Sequence, residues 1–139
     1  MRVNRTNKNL KEMKKLILMA TDESPQIHFD PTRGILDIVG KSLPEDIEEF
    51  YAPLLELARQ YVQRPQLDTT INFDMTYLNS SSTKKVLEIV TLFEPIHEEG
   101  NKVQINWYYD EYDEDMRDEG EEFSRLTHVP LTLIAKREG

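Results

Sequence analysis

Residues 67–107 read LDTTINFDMTYLNSSSTKKVLEIVTLFEPIHEEGNKVQINW, and they contain a complete strand–helix–strand unit. Apolar and β-branched residues alternate with polar ones at the start, recur at steps of three and four in the middle, and alternate again at the end. In order, these positions are Leu67, Thr69, Ile71, Phe73 and Met75; Val86, Ile89, Val90, Phe93 and Ile96; and Val103, Ile105 and Trp107. Gly100 is placed to end the helix in a left-handed conformation. Such a unit predicts two parallel strands joined by a right-handed crossover.

Upstream of this unit, two short apolar segments at residues 27–29 and 35–39 flank a strong turn signal at residues 30–34, Asp-Pro-Thr-Arg-Gly. Two apolar segments around such a turn predict a β-hairpin. Residues 16–19 are expected to form a further short strand or an extension of the hairpin.

A first helix is expected between the hairpin and residue 67. Ser42 or Leu43 is predicted near its N-cap and Pro44 in its first turn, because proline is tolerated there. Apolar residues at helical spacing continue to Tyr61, which predicts one buried stripe. Pro53 lies inside this run and is expected to kink the helix or divide it.

Downstream, the acidic residues 110–122 lead into a third helix that Pro130 ends, and a last strand begins at Leu131. The predicted order is therefore β-β-α-β-α-β-α-β in one domain. Strands alternating with helices favour a mostly parallel sheet, and the opening hairpin adds an antiparallel edge. We therefore predict an α/β fold with a mixed sheet flanked by helices.

Charge is distributed unevenly along the chain. The net charge of −9 argues against nucleic acid as a partner, since phosphate backbones are bound by basic surfaces. Residues 1–15 carry six basic side chains against Glu12 alone, and we predict a solvated basic tail there, with Met13 as an alternative start of the natural chain. Residues 16–139 are predicted to form the folded domain.

Neither a membrane segment nor a secretion signal is predicted. The longest apolar run, at residues 16–20, is far shorter than the roughly 18 residues that span a bilayer. Zero cysteines exclude disulfides and thiolate metal sites and are compatible with a reducing compartment. We expect a cytoplasmic protein.

Catalytic motifs are missing from the sequence. It contains no G-x-S-x-G elbow, phosphate-binding P-loop, H-E-x-x-H zinc motif or dinucleotide glycine fingerprint. The three histidines, His28, His97 and His128, fall in three different predicted elements. We therefore predict that the chain is not an enzyme and uses no cofactor.

The acidic run from Asp110 to Asp118 was considered as a metal site. An EF-hand loop needs glycine at its sixth position, and loops starting at Asp110 or Asp113 have Asp115 or Asp118 there. Carboxylates before a helix are more simply explained as caps and partners of the helix dipole. A Mg²⁺-dependent enzyme using residues 110–118 remains the weaker alternative.

A run of hydroxyl residues, Ser80 to Thr83, follows Asn79 where the second helix is predicted to begin. One residue of this segment is expected to be the N-cap, but a cap needs only one side chain. A phosphoryl group on Ser80 would carry about −1.5 to −2 charges at the positive end of the helix dipole. Lys84 stands four residues further on, in the favourable orientation. The segment therefore predicts either a plain cap or a phosphorylation site.

Several stretches form an ordered and specific set. They are residues 21–25 (TDESP), 29–34, 44–51 (PEDIEEFY), 77–82 (YLNSSS), 106–110 (NWYYD) with the acids that follow, and 122–131. From about residue 17 onward the chain resembles the SiaC family of bacterial regulatory phosphoproteins. The resemblance implies a fold similar to the STAS domains of anti-sigma-factor antagonists.

What the resemblance implies for function is a partner switch. A kinase phosphorylates the protein, a PP2C-type phosphatase reverses this, and the unphosphorylated form binds and activates an effector, in the family a diguanylate cyclase. The family phosphoacceptor is typically a threonine after the asparagine of a Tyr-x-Asn motif. Here that position is Ser80, next to Asn79, with Ser81 as the alternative and Lys84 in support.

The resemblance also gives the acidic segment a role as a partner surface. Its candidate residues are Asp110, Asp113, Glu114 and Asp115. A STAS-like module that binds a small ligand without phosphorylation is the remaining alternative. The identity of the effector and the oligomeric state are not specified by the sequence.

Overall fold

The computed structural model describes residues 13–137, which form one six-stranded sheet and three helices. The strands are β1 (Leu16–Leu18), β2 (Gln26–Asp30), β3 (Ile35–Ser42), β4 (Asp68–Leu78), β5 (Lys102–Asp110) and β6 (Leu131–Lys136). The helices are α1 (Ile47–Gln63), α2 (Ser80–Glu98) and α3 (Glu114–Leu126). Residues 1–12 of the predicted basic tail lie outside the described residues.

The sheet order follows the chain, from β1 to β6. Strands β1, β2 and β3 pair antiparallel, whereas β3 to β6 pair parallel. Each parallel connection steps to the next strand in the same direction, so right-handed crossovers place all three described helices on one face. The predicted mixed sheet is confirmed, and residues 16–18 add a sixth, antiparallel edge strand.

The core lies between this face and the helices. On β4 the side chains of Thr69, Ile71, Phe73 and Met75 are buried, while those between them are partly exposed. Trp107 on β5 is fully buried, and its indole N–H donates to the carbonyl of Met116 at 3.0 Å. The apolar alternation predicted for residues 67–75 and 103–107 therefore marks the helix-facing side of the sheet, except at the exposed Leu67.

The opposite face of the sheet carries a polar ladder. Asp37, Asn72, Asn106 and Thr132 occupy one row across four adjacent strands. The Asn72 amide donates to Asp37 at 2.8 Å, and the Asn106 amide donates to Asn72 at 2.9 Å. Parallel sheets are usually covered on both faces. Here the mutual pairing of polar side chains allows one face to meet water.

The start of α1 differs from the prediction. Its N-cap is Asp46, whose carboxylate accepts the backbone N–H of Glu49 at 3.0 Å. Ser42, predicted near the cap, is instead the last residue of β3, because it pairs with Leu78 of β4. Leu43 and Pro44 therefore precede the helix.

Pro53 does not divide α1, so of the two predicted outcomes, a kink or a division, the division is wrong. A single helix runs from Ile47 to Gln63 and includes Pro53. Proline removes one backbone hydrogen bond, but the ring lies on the exposed side of the helix. The opposite side packs into the core through Tyr51, Leu54, Leu55, Ala58 and Tyr61.

The end of α2 agrees with the prediction. Gly100 has φ +104°, in the left-handed region, and its N–H donates to the carbonyl of His97 at 3.1 Å. The next N–H, of Asn101, donates to Ile96 at 3.0 Å. Within the described part of the chain, none of the helices is both long and apolar enough to cross a bilayer.

Candidate phosphorylation site

Strand β4 runs to Leu78, three residues beyond the predicted end, because of an irregularity in its pairing. Gly40 pairs with Met75 but Lys41 pairs with Tyr77, so Thr76 is an extra residue in the register. The shift reverses the alternation. Leu78 packs against the core, while Tyr77 is 51% exposed. Bulges of this kind redirect side chains next to functional sites.

Asn79 caps α2 immediately after the strand. Its φ and ψ of −82° and 174° are extended, and its Oδ1 accepts the N–H of Ser82 at 2.9 Å. The Asn79 N–H donates to the carbonyl of Ser42 at 3.1 Å, which fixes the cap to the end of β3. The predicted cap within this segment is thus present, and it is the carboxamide rather than a hydroxyl.

Ser82 faces inward, and its hydroxyl belongs to a buried chain. Its Oγ donates to the Ser42 carbonyl at 2.8 Å and lies 2.7 Å from the Ser42 Oγ, which lies 2.7 Å from the Tyr51 hydroxyl. Because the Ser82 hydroxyl donates its single proton to the carbonyl, the Ser42 hydroxyl must donate to Ser82 and the Tyr51 hydroxyl must donate to Ser42. Burial raises the pKa of Tyr51.

The other hydroxyls differ in how far the fold uses them. Thr83 donates to the carbonyl of Asn79 at 3.2 Å and to the Glu119 carboxylate of α3 at 2.9 Å. Ser81 is exposed and donates to the Asn79 side chain at 3.2 Å. Ser80, the first residue of α2, is exposed, and its hydroxyl makes no hydrogen bond within residues 13–137.

The two lysines of this turn have opposite surroundings. Lys84, predicted to support the site, is exposed and has no ion pair within the described residues. The Lys85 side chain is only 6% exposed, and its Nζ lies 2.8 Å from Glu48 of α1 and 2.9 Å from Glu88. Burial lowers the pKa of Lys85. The hydrogen bonds that its ammonium donates to both carboxylates outweigh this effect and raise the pKa above its usual value.

Lys85 was missed by sequence reasoning, although a signal was present. It lies three residues after Ser82 and four before Ile89, so helical spacing places it on the buried stripe. A lysine at such a position needs a carboxylate partner, because a buried ammonium without one is costly.

The N-termini of the three described helices lie along one edge of the sheet, since each follows the carboxyl end of a parallel strand. Asp46 caps α1 and Asp113 caps α3, and acidic residues follow in the first turn of each. The first turn of α2, between them, contains no acidic residue. Of these three helix starts, Ser80 therefore lies at the one without an acidic residue of its own, and the Glu119 carboxylate of α3 contacts this turn at Thr83.

The predicted partner-surface residues are brought together at the same edge. Asp110, Asp113, Glu114 and Asp115 line a shallow depression with Thr76 and Tyr112. Asp113 caps α3 by accepting the N–H of Met116 at 3.0 Å, and Asp110 accepts the N–H of Tyr112 at 3.1 Å. Among the described residues, no group of three or more such side chains has a geometry suited to a metal ion. The magnesium hypothesis therefore gains no support.

Fold and site together define a small α/β protein that presents an unengaged serine at a helix start. A scan against family models matches residues 18–136 to the SiaC family regulatory phosphoproteins. The chain belongs to this family, as predicted from the sequence.

Known relatives agree with that assignment. An uncharacterized protein of Pseudomonas aeruginosa (strain UCBPP-PA14) is 29% identical over 126 residues, which cover 91% of this chain and 100% of that protein. The structure matches a chain in the crystal structure of the P. aeruginosa diguanylate cyclase SiaD in complex with its activator SiaC, with 28% identity and a TM-score of 0.82. That match covers 87% of this chain and 99% of the other. Apo-SiaC from the same organism matches with 27% identity and a TM-score of 0.81, covering 88% and 99%.

Proposed function

We propose that this chain is a partner-switching protein whose unphosphorylated form binds and activates a diguanylate cyclase, and whose phosphoacceptor is Ser80. One observation carries the proposal. Ser80 is an exposed hydroxyl without a hydrogen bond in the described structure, at the one acid-free helix start of the three. The matching SiaC in complex with the cyclase SiaD supports the class of effector.

A phosphoryl group on Ser80 would be accommodated without disturbing the fold. It would add about −1.5 to −2 charges beside the free N–H groups of the first turn, where anions are favoured. Lys84 lies one helical turn away and has no competing ion pair among the described residues. In the cap contact, the Ser82 N–H donates to the Asn79 Oδ1, so neither the Ser80 nor the Lys84 side chain takes part in it.

The change would be large for a partner that contacts this edge. Both neighbouring helix starts are already acidic, with Glu48 and Glu49 on α1 and Glu114 and Asp115 on α3. Phosphorylation would make the edge acidic throughout, and it would place a strongly hydrated group in the centre of the contact. An effector fitted to a neutral centre would therefore lose affinity.

Ser81 is the second choice of acceptor. It is exposed, but its hydroxyl donates to Asn79, so modification would remove a bond at the cap. Ser82 is buried, and Thr83 is held by Glu119. The fold thus favours Ser80 among the hydroxyls of this turn.

The same proposal includes the remaining partners. A cognate protein kinase would modify Ser80, a PP2C-type phosphatase would reverse this, and the surface of Asp110, Asp113, Glu114 and Asp115 would contact one of these proteins or the cyclase. The chain itself would not be an enzyme. We propose that the chain lies in the cytoplasm, with ATP and the cyclase. It would consist of a basic tail over residues 1–15 and a folded domain over residues 16–139.

Intact-mass spectrometry tests the acceptor. After co-expression with the cognate protein kinase, the wild type should gain one phosphate and Ser80→Ala none. Ser81→Ala is the matched control, because it removes a neighbouring exposed hydroxyl and should be modified normally. A phosphate retained by Ser80→Ala and lost in Ser81→Ala would transfer the site to Ser81.

Binding to the cognate cyclase tests the switch. Unphosphorylated protein should bind and raise cyclase activity, and stoichiometrically phosphorylated protein should do neither. Ser80→Asp should weaken binding less than the phosphate does, because aspartate carries less charge. Equal binding by both forms would refute a switch at this residue.

A further inference from the structure

Lys85 connects two helices near the start of α2, five residues after the candidate acceptor. Its Nζ contacts the Glu48 carboxylate, in the first turn of α1, at 2.8 Å and that of Glu88, on α2 itself, at 2.9 Å. Glu48 is 78% exposed, so the pair begins at the surface and ends in the interior. The contact ties the beginning of α1 to the beginning of α2.

Other groups reinforce the same junction. Tyr51 of α1, Ser42 of β3 and Ser82 of α2 form the buried hydroxyl chain. The hydroxyl chain contacts α1 at Tyr51, about one turn beyond the start of the helix. Glu48, in the first turn of α1, forms an ion pair with α2. Ile47 and Phe50 pack this part of α1 against the core, and Lys85 adds the ion pair that directs its exposed side toward α2.

Stability alone does not explain a lysine at this position. Buried ion pairs can often be replaced by apolar residues of similar volume with little loss of stability, and sometimes with a gain. What an apolar residue at position 85 would not supply is a directed contact to Glu48 on the surface of α1. The contribution of the lysine is thus geometric.

We propose that Lys85 is a positioning residue, which holds the first turn of α1 against the start of α2 so that the cyclase contacts both helix starts as one surface. The inference rests on the proposed function of Ser80. The start of α1 and the two residues before it line a shallow depression, formed by Glu45, Asp46, Ile47, Glu49 and Phe50.

Helical spacing separates the positioning role of Lys85 from the electrostatic effect of a phosphoryl group on Ser80. Lys84 is four residues after Ser80, whereas Lys85 is four residues after Ser81. Side chains four residues apart are neighbours on a helix. A phosphoryl group on Ser80 would therefore attract Lys84 and leave the pair of Lys85 with Glu48 in place. The switch then changes the charge of a fixed surface rather than releasing α1.

Amide hydrogen exchange on the unphosphorylated full chain tests the positioning. Lys85→Met and Glu48→Ala should each raise exchange at residues 44–50 by roughly tenfold, with residues 114–126 unchanged. Glu48→Ala alters an exposed side chain and so does not threaten folding. The matched controls Lys84→Met and Glu49→Ala, which remove neighbouring charges without an ion pair in the described structure, should leave exchange at residues 44–50 unchanged.

The same variants test what the partners contact. Lys85→Met and Glu48→Ala should weaken cyclase binding by about fivefold or more while melting within about 3 °C of wild type. The double variant should be no worse than Lys85→Met alone, because the contact with Glu48 is already lost in that variant.

Unchanged exchange at residues 44–50 in both variants would overturn the positioning role. Raised exchange with wild-type cyclase binding would overturn the shared surface. A wild-type protein that is never modified at Ser80 would instead refute the proposed function, and the exchange data would still decide the role of Lys85.

Discussion

Ser80 and Ser82 lie two positions apart in one helical turn, and their hydroxyl groups have opposite surroundings. Ser80 is open to solvent, whereas Ser82 is fully buried and bonded to Ser42. The direction of each side chain around α2, set by the Asn79 cap, produces this difference. One serine can therefore serve modification, and the other serves the fold.

This contrast predicts different effects on stability. Ser82→Ala should lower the free energy of unfolding by about 1–2 kcal/mol, because it removes a buried donor and leaves Ser42 without its acceptor. Ser80→Ala should stay within about 0.5 kcal/mol of wild type. Urea unfolding followed by circular dichroism measures both. Equal losses would mean that the buried hydroxyl chain contributes nothing.

Two buried groups predict a loss of stability at high pH. Burial raises the pKa of Tyr51 above 10.0, and the carboxylates beside Lys85 raise its pKa above 10.5. For a raised pKa, the stabilisation is complete below the unfolded-state pKa and is lost as pH rises through the folded-state value. Melting temperature should therefore fall as pH rises above about 10.

The variants Tyr51→Phe and Lys85→Met provide the check on this assignment. Each lacks one of the two titrating groups, so each should show a shallower decline in melting temperature over that range than the wild type. Lys84→Met is the control, because Lys84 is exposed. Parallel declines in all four proteins would rule out these two groups as the cause.

At the scale of elements, the cap of α2 decides how the acceptor is presented. Asn79→Ala should destabilise the protein by about 1 kcal/mol and increase exchange in the first turn of α2. Asn79→Ser should recover most of the loss, since serine is also a good cap. If Asn79→Ala altered neither quantity, the cap contact to Ser82 would not hold the turn.

The packing of α3 on the sheet depends on a glycine. A Cβ at Gly120 would lie 2.4 Å from Cδ1 of Trp107 and 2.6 Å from a methyl carbon of Leu133. Gly120→Ala should therefore cost about 1–3 kcal/mol through overpacking, despite the higher helix propensity of alanine. Because Trp107 is the single tryptophan, its fluorescence reports the change directly. A more stable variant would contradict this packing.

For the whole molecule, the domain boundary can be tested. Met13, inside the predicted tail, is partly buried against the core. Removal of residues 1–12 should therefore leave the melting temperature within about 2 °C of wild type, whereas removal of residues 1–18 also deletes strand β1 and should lower it clearly. Scanning calorimetry of both truncations makes the comparison.

Much of the architecture could be predicted because hydrophobic spacing is local. The alternation in residues 67–75 and 103–107 and the helical stripe of residues 86–96 each follow from which side of an element meets the core. The hairpin and the left-handed Gly100 were likewise predicted from nearby residues. These features gave the element types and the mixed sheet before any tertiary contact was known.

Boundaries that depend on distant partners were predicted less well. Ser42 was expected near a helix cap, but its pairing with Leu78 extends β3 through it. The shift at Gly40 and Lys41 carries β4 beyond Met75 and turns Tyr77 outward. Neither pairing partner is close in sequence, so no local pattern could have indicated them.

For the candidate site, the sequence alone determined that a hydroxyl run follows a strand and opens an amphipathic helix, and its family resemblance selected Ser80. Only the tertiary structure decided that Ser80 is free while Ser82 is buried, and that Lys85, not Lys84, is paired with Glu48. The physical reason is one of range. Spacing along a chain fixes which face of an element a residue occupies, but the partner that meets that face belongs to another element and is set only when the two elements pack.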